Sequence, residues 1–259
     1  MIWIGVRKWT RHNKLRGSTG TQAISFVPFQ RGDPMPDASS TAGPGPVLVS
    51  DFDGTMTQHD FYKLAIERLL PADTPDHWAD YRSGKITHFE ALRRYFAAIR
   101  RSEDEVLAVV RQMELDPDLP DAVETLRQAG WSVIVTSAGC NWYIRRLLSD
   151  AGVNVVVHAN PGRFEAGRGL MMEMPTGSPY LSEFLGVDKT AVVRQYVAQG
   201  GKVAFAGDGF PDADAARLVP GSCRFARADL AQVLEKEGLD FQRFRTWSEI
   251  AGRLLEGSD

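Results

Sequence analysis

The chain has 259 residues, a formal net charge of −3, 43% hydrophobic residues and 24% charged residues. That balance suits a packed globular domain of ordinary size, roughly 100–200 residues, plus an insertion, and it gives no general pull toward nucleic acid or an anionic membrane. No apolar run approaches the ~20 residues of a membrane span. The two cysteines, Cys140 and Cys223, are too few and too far apart for a disulfide framework or a zinc site, which implies a reducing, cytoplasmic setting.

In chain order, Met1 to Arg31 carries six Lys or Arg and no acid, and Gly32 to Pro46 is rich in Gly, Pro, Ser, Ala and Asp. With no clear amphipathic period, residues 1–46 are expected to be a disordered N-terminal extension. Val47 to Ser50 then reads as a short apolar strand. Phe61 to Leu115 contains helical patterns and no convincing strand: "FYKLAIERLL", "HFEALRRYFAAI", and "SEDEVLAVVRQM", with Ser102 and Glu105 at capping-box spacing. Beyond it, strand-like runs (Trp131 to Ser137, Val153 to Ala159, Lys202 to Asp208, Cys223 to Ala226) alternate with amphipathic helices, two of them stopped by Gly130 and Gly152. Asn160 to Pro175 reads as a Gly-punctuated hairpin. The expected fold is α/β: a doubly wound parallel sheet from 47–60 and 116–259, with an all-helical cap, 61–115, inserted after the first strand.

In open parallel sheets, ligands bind outside the carboxyl ends of the strands. There the sequence places Asp51 and Asp53 after the first strand, Ser137 at the end of the second and Asp208 at the end of "KVAFAGD". Lys189, at the start of a helix, can reach the same place. Two acids one residue apart are costly to desolvate unless a cation or a catalytic task keeps them. Clustered carboxylates suit a hard cation such as Mg²⁺, with a lysine and a hydroxyl to hold an anion beside it.

"DFDGT" (Asp51 to Thr55), "VIVTSAG" (Val133 to Gly139), Lys189 and "GDGFPD" (Gly207 to Asp212) resemble, in order, the four motifs of the haloacid dehalogenase superfamily of phosphatases. The resemblance implies that Asp51 is the nucleophile, forming an aspartyl-phosphate, and that Asp53 is the general acid and base. It implies a Mg²⁺ held by Asp51, the backbone carbonyl of Asp53 and Asp208, with Asp212 a further ligand or an orienter of bound water. Lys189 and Ser137 would hold the phosphoryl oxygens. Thr136 competes with its neighbour for that role, but Ser137-Ala138-Gly139 matches the pattern of the phosphoserine phosphatase-like branch, as does the position of the helical insertion. Asp214 is expected to be an exposed helix residue.

Within that branch, "SDFDGTMTQHD", "SAGCNWYIRRLL" and "HANPGRF" are similar to the methionine-salvage phosphatases that cleave 2-hydroxy-3-keto-5-methylthiopentenyl 1-phosphate. That family is cysteine-rich just before the motif lysine, whereas "SPYLSEFLGVDK" has no cysteine. Expected substrate contacts come from Thr136, Ala138 and Gly139, from Gln58, His59 and Asp60 after the first motif, and from Asn141, Trp142 and Tyr143 after the second, with Arg82, Lys85 and His88 placed in the insertion to meet a carboxylate or hydroxyls. The expected partner is a small phosphate monoester, with no nucleic acid and no membrane.

Overall fold

The computed structural model describes residues 45–256, so the expectation for 1–46 falls almost wholly outside the described residues. The elements are β1 (Val47–Ser50), α1 (Phe61–Arg68), α2 (His77–Arg82), α3 (His88–Ala97), α4 (Glu103–Val110), α5 (Leu119–Gln128), β2 (Ser132–Cys140), α6 (Asn141–Asp150) and β3 (Val156–Asn160). They continue with β4 (Gly162–Glu165), β5 (Gly169–Met172), β6 (Leu181–Ser182), β7 (Gly186–Val187), α7 (Lys189–Ala198), β8 (Val203–Gly207), α8 (Ala213–Ala216), β9 (Arg224–Ala226), α9 (Ala228–Lys236), β10 (Gln242–Arg243) and α10 (Ser248–Glu256).

Six parallel strands form one sheet in the order β10-β9-β8-β1-β2-β3, which is the doubly wound parallel architecture expected. The central strand β1 shows why both faces are covered. Leu48 packs into a core with α5, α6 and α10, whereas Val47 and Val49 pack into a second core with α7, α8 and α9. Successive strand side chains point to opposite faces, so an uninterrupted apolar run needs a helical layer on each side.

The chain leaves the sheet after β1 and returns before β2 through adjacent passages. Thr57 bridges Leu115 antiparallel, and Asp116 N donates to Met56 O at 3.0 Å. Between them lie the four helices α1–α4 and a short 3-10 turn, Arg111–Met113, with no strand, as the periodicity predicts. Ser102 closes the predicted capping box: its Oγ accepts from Glu105 N, and Ser102 N donates back to the Glu105 carboxylate at 2.8 Å. Gly130 and Gly152 adopt φ of +82° and +72°, the left-handed conformation of a helix stop. Among the described residues no helix is long and apolar enough to cross a membrane.

The strands differ from expectation in several places, among them β10, which was not expected. β2 runs on to Cys140 because its pairing with β3 shifts between Thr136 and Cys140, a bulge that keeps the strand going while turning residues 137–139 out of regular register. β3 begins only at Val156. The link before Lys189 contains a two-stranded hairpin, β6–β7, too short to carry a periodic signal. The Asn160–Pro175 hairpin is present as β4–β5.

The cap of α4 gives a test of local energetics. Ser102→Ala removes the acceptor for Glu105 N and should lower stability by about 1 kcal/mol in urea denaturation, with the activity of the folded protein unchanged.

Candidate active site

The sheet order sets the site. β1 lies between β8 and β2, so Asp51, Asp208 and Ser137, distant in sequence, arrive side by side at the carboxyl edge. Lys189 is the first residue of α7, whose N-terminus is capped by the Asp188 side chain accepting from Ala191 N at 2.9 Å.

Lys189 Nζ sits 2.8 Å from Asp51 Oδ1 and 2.6 Å from Asp212 Oδ1, with the lysine only 3% exposed and Asp212 fully buried. The second oxygen of Asp212 accepts from Asp208 N at 3.1 Å and Gly209 N at 3.0 Å. Asp208 Oδ1 accepts from Thr55 Oγ1 at 2.9 Å. Asp51, Asp208 and Asp212 bring carboxylate oxygens within 4.8 Å of one another. Burial, then repulsion from Asp212, raises the Asp51 carboxyl well above the usual range although Lys189 opposes it. The same causes push Asp208 to about 7. For Lys189, burial disfavours the charge, but attraction to Asp212 and Asp51 outweighs it and holds the ammonium protonated. Three acids against one lysine leave a local excess of negative charge, and an all-oxygen donor set of this kind fits a hard divalent cation.

Asp53 faces elsewhere. Tyr143 Oη donates to its carboxylate at 2.9–3.0 Å, Phe61 N donates to Oδ1 at 3.1 Å, and Ser137 Oγ lies 3.4 Å from Oδ2. Burial and the nearby Asp60 push the Asp53 carboxyl up to about 6, against the opposing pull of Phe61 N–H and Tyr143. Burial, with Asp53 beside it, raises the Tyr143 phenol well above its ordinary value, so it keeps its proton and acts as a donor. The two aspartates of "DFDGT" therefore occupy different electrostatic environments.

Glycines in the motifs make these approaches possible. A Cβ on Gly54, which has φ +70°, would lie 2.4 Å from Asp208 Oδ2. One on Gly139 would lie 2.0 Å from Tyr143 Oη and 2.7 Å from Asp53 Oδ2. Arg227 secures the "DFDGT" turn from outside, donating to Gly54 O at 2.6 Å, Thr57 O at 2.5 Å and Arg245 O at 2.7 Å.

A cavity of about 370 Å³ opens over these groups. Asp51, Asp53, Ser137, Ala138, Gly139, Lys189, Asp208 and Asp212 line it, together with residues of the insertion. The insertion supplies a ring cluster in which Trp78 lies 5.0 Å from Tyr62, 5.2 Å from Tyr81 and 5.1 Å from His88 between centroids. Burial, then the charge of Lys189, lowers His88 to about 4, leaving it neutral at pH 7.

Several expected contacts lie elsewhere. His59 is exposed and points to Glu114, 3.7 Å away, because the chain has already turned into the insertion. Trp142 stacks on Phe164 of β4 at 5.9 Å, and neither it nor Asn141 reaches the cavity wall; one residue on, Tyr143 does. Thr136 is still in ladder register with His158, before the bulge, and is buried away from the cavity, whereas Ser137 follows the bulge and lines it. Lys85 pairs with Asp80 at 3.1 Å outside the cavity, while Arg82 and His88 line it. Asp214 is exposed and pairs with Arg217. Of the three residues that follow the second motif, Tyr143 alone lines the cavity. Its signal was present in the sequence: it stands four residues after Gly139, on the first turn of the helix that follows the motif.

The chain matches the haloacid dehalogenase-like hydrolase family over residues 48–217. It is 23% identical to the 2-hydroxy-3-keto-5-methylthiopentenyl-1-phosphate phosphatase of Brevibacillus brevis, over 81% of this chain and 95% of that protein. It is also 23% identical to the Pdp3-interacting factor 1 of Schizosaccharomyces pombe, over 78% of this chain and 92% of that one. Among solved structures, a phosphoserine phosphatase holding a phospho-aspartyl intermediate analogue superposes with a TM-score of 0.56 at 16% identity, covering 82% of this chain and 99% of that one. A hydrolase of the same family from Salmonella enterica serovar Typhi gives 0.58 at 15% identity, over 78% and 68% of the two chains.

The close approach at Gly139 is testable without knowledge of a substrate. Gly139→Ala should cost about 1–3 kcal/mol by overpacking against the buried Tyr143. Thermal denaturation of the double variant Gly139→Ala, Tyr143→Phe should show part of that loss recovered, because the colliding hydroxyl is gone.

Proposed function

The chain belongs to the haloacid dehalogenase-like hydrolases, and on that premise we infer that it hydrolyses a small organic phosphate monoester through a phosphorylated Asp51, with Mg²⁺ bound among its acids. The observation that carries this reading is the division between the two aspartates. Asp51 lies in the acidic, lysine-braced cluster, while Asp53 is turned to Tyr143 and Phe61 N with a carboxyl near 6. Paired carboxyls whose environments differ in this way suit a nucleophile and a general acid.

In the first step an Asp51 oxygen bonds to phosphorus as the ester P–O bond breaks, and the Asp53 proton passes to the leaving oxygen. In the second, Asp53 takes a proton from water as the water oxygen attacks the aspartyl-phosphate. Inorganic phosphate leaves and the Asp51 carboxylate is restored. Lys189 and Ser137 hold the phosphoryl oxygens. Asp51, Asp208 and the Asp53 carbonyl would hold Mg²⁺. Both Asp212 oxygens are engaged by Lys189 and by backbone N–H groups, so Asp212 organises the set. When bound, Mg²⁺ neutralises charge on the phosphoryl group.

The wall that the insertion contributes bears on the substrate, and it favours an uncharged, partly apolar organic part. It consists largely of Tyr62, Trp78, Tyr81, His88, Leu92 and Phe96. Of the lining cations, Lys63 pairs with Asp60, Arg82 with Asp76 at 3.2 Å and Lys189 with the acids, while His88 is neutral. A substrate carboxylate thus finds no unengaged cation among the described lining residues. The substrate named for the Brevibacillus relative likewise carries hydroxy, keto and methylthio groups.

Phosphate release from p-nitrophenyl phosphate should require Mg²⁺, stop with EDTA, and fall at least about 1,000-fold in a folded Asp51→Asn variant. Activity in that variant close to wild type would sink the nucleophile assignment. At saturating Mg²⁺, about 100 times its dissociation constant, the protein should gain about 2.7 kcal/mol of stability in a thermal-shift series, and Asp208→Asn should lose that gain. On a panel of monoesters, neutral aryl or thioether-bearing compounds should exceed phosphoserine in kcat/KM by about tenfold or more, a difference of about 1.4 kcal/mol. A preference for phosphoserine would contradict the reading of the wall.

A further inference from the structure

Asn160, the last residue of β3, is completely buried and takes no part in the chemistry described above. Its side-chain Nδ2 donates to Ala138 O at 2.7 Å and to Leu185 O at 3.0 Å. Two carbonyl partners fix the amide orientation, since only the NH₂ end can donate to both. Its Oδ1 has no hydrogen-bond partner and packs against Gly186, where a Cβ would lie 1.8 Å away and φ is +83°. Gly186 is therefore the residue that lets the β6–β7 hairpin close over Asn160.

Both bonds lead back to the site. Ala138 O and Gly139 N belong to one peptide unit, and in a planar trans peptide the C=O and N–H point in opposite directions. Holding Ala138 O from one side therefore aims Gly139 N–H to the other, where it donates to Ser137 Oγ at 2.9 Å. With an N–H donated to its oxygen, the Ser137 hydroxyl keeps its own hydrogen to donate into the cavity, where it points at Asp53 Oδ2, 3.4 Å away, and bonds in such a chain polarise one another. The second bond, to Leu185 O, fixes the hairpin whose strand β7 ends at Val187, two residues before Lys189. The hairpin tip also holds the helical insertion: Phe184 O accepts from Phe89 N at 2.9 Å, and the Phe184 ring lies 5.8 Å from Tyr81.

We propose that Asn160 is a positioning residue for Ser137: through the Ala138–Gly139 peptide it orients the serine hydroxyl toward the phosphoryl group, and through Leu185 it ties that orientation to the hairpin leading into Lys189. The inference rests on the reading of Ser137 as a phosphoryl ligand. It needs no contact between Asn160 and the substrate.

The test is a double-mutant cycle read with p-nitrophenyl phosphate and Mg²⁺. Asn160→Asp keeps the shape but replaces the donor with an acceptor, and Asn160→Ala serves should the aspartate variant fail to fold. Ser137→Ala should lower kcat about 100-fold, as removal of one preorganised donor does. Either Asn160 variant alone should lower kcat about tenfold with KM changed by less than about twofold, and should weaken inhibition by orthovanadate in proportion to kcat. Added to Ser137→Ala, the same substitution should cost less than about a further twofold, because residues acting through one bond are not additive. Effects that multiply across the cycle, or a wild-type kcat in the Asn160 variants, would overturn the positioning role while leaving the phosphatase reading intact. A wild-type protein that releases no phosphate, with Mg²⁺ and correct folding, would overturn both.

Discussion

The site depends on one buried cation. Lys189 bridges Asp51 and Asp212 at hydrogen-bonding distance in a place that excludes most water, so the charges interact strongly and none is cheaply left alone. Removing one member of such a buried set typically costs about 3–5 kcal/mol, because the remaining charge stays desolvated. The lysine also offsets only part of the acid. Desolvation and mutual repulsion still hold the carboxyls of Asp51 and Asp208 above their ordinary range, and a divalent cation would relieve that burden. That imbalance is what the proposed Mg²⁺ and phosphoryl group would answer together.

The remaining architecture places this cluster and shields it. Parallel strands in the order β8-β1-β2 deliver Asp208, Asp51 and Ser137 to one edge, and the start of α7 delivers Lys189. Glycines at 54 and 139 leave room for carboxylates to approach backbone and phenol, while Arg227 fastens the turn that carries the two aspartates. The helical insertion roofs the cavity with aromatic rings and a neutral histidine. Sheet and insertion are joined by the paired passages near Thr57 and Leu115, and again where the β6–β7 hairpin meets α3.

Much of this was legible in the sequence, for a physical reason. Asp51, Asp208 and Lys189 stand at the ends of recognisable strands or the start of a helix, and parallel topology then dictates where their side chains gather. The insertion was legible because α3 repeats Phe89, Leu92 and Phe96 at helical intervals, and all three are buried. Residues whose role depends on side-chain direction were not. His59, Asn141 and Trp142 are near the motifs in sequence, but helix register gives the cavity to Tyr143 and turns Trp142 toward the hairpin. Asn160 and Arg227 act by gripping backbone carbonyls far away in sequence, and no local pattern announces such contacts. The two-residue strands β6 and β7 are too short for any periodicity.

The proposed transfer of the phosphoryl group to Asp51 is tested by acid quenching of the protein during turnover of p-nitrophenyl phosphate with Mg²⁺, followed by peptide mass spectrometry. A peptide spanning Val47 to Thr55 should carry one added phosphoryl group located on Asp51, and no such peptide should form in the presence of EDTA. A phosphoryl group found on another residue, or rapid turnover with Asp51 unmodified at every quench time, would contradict it.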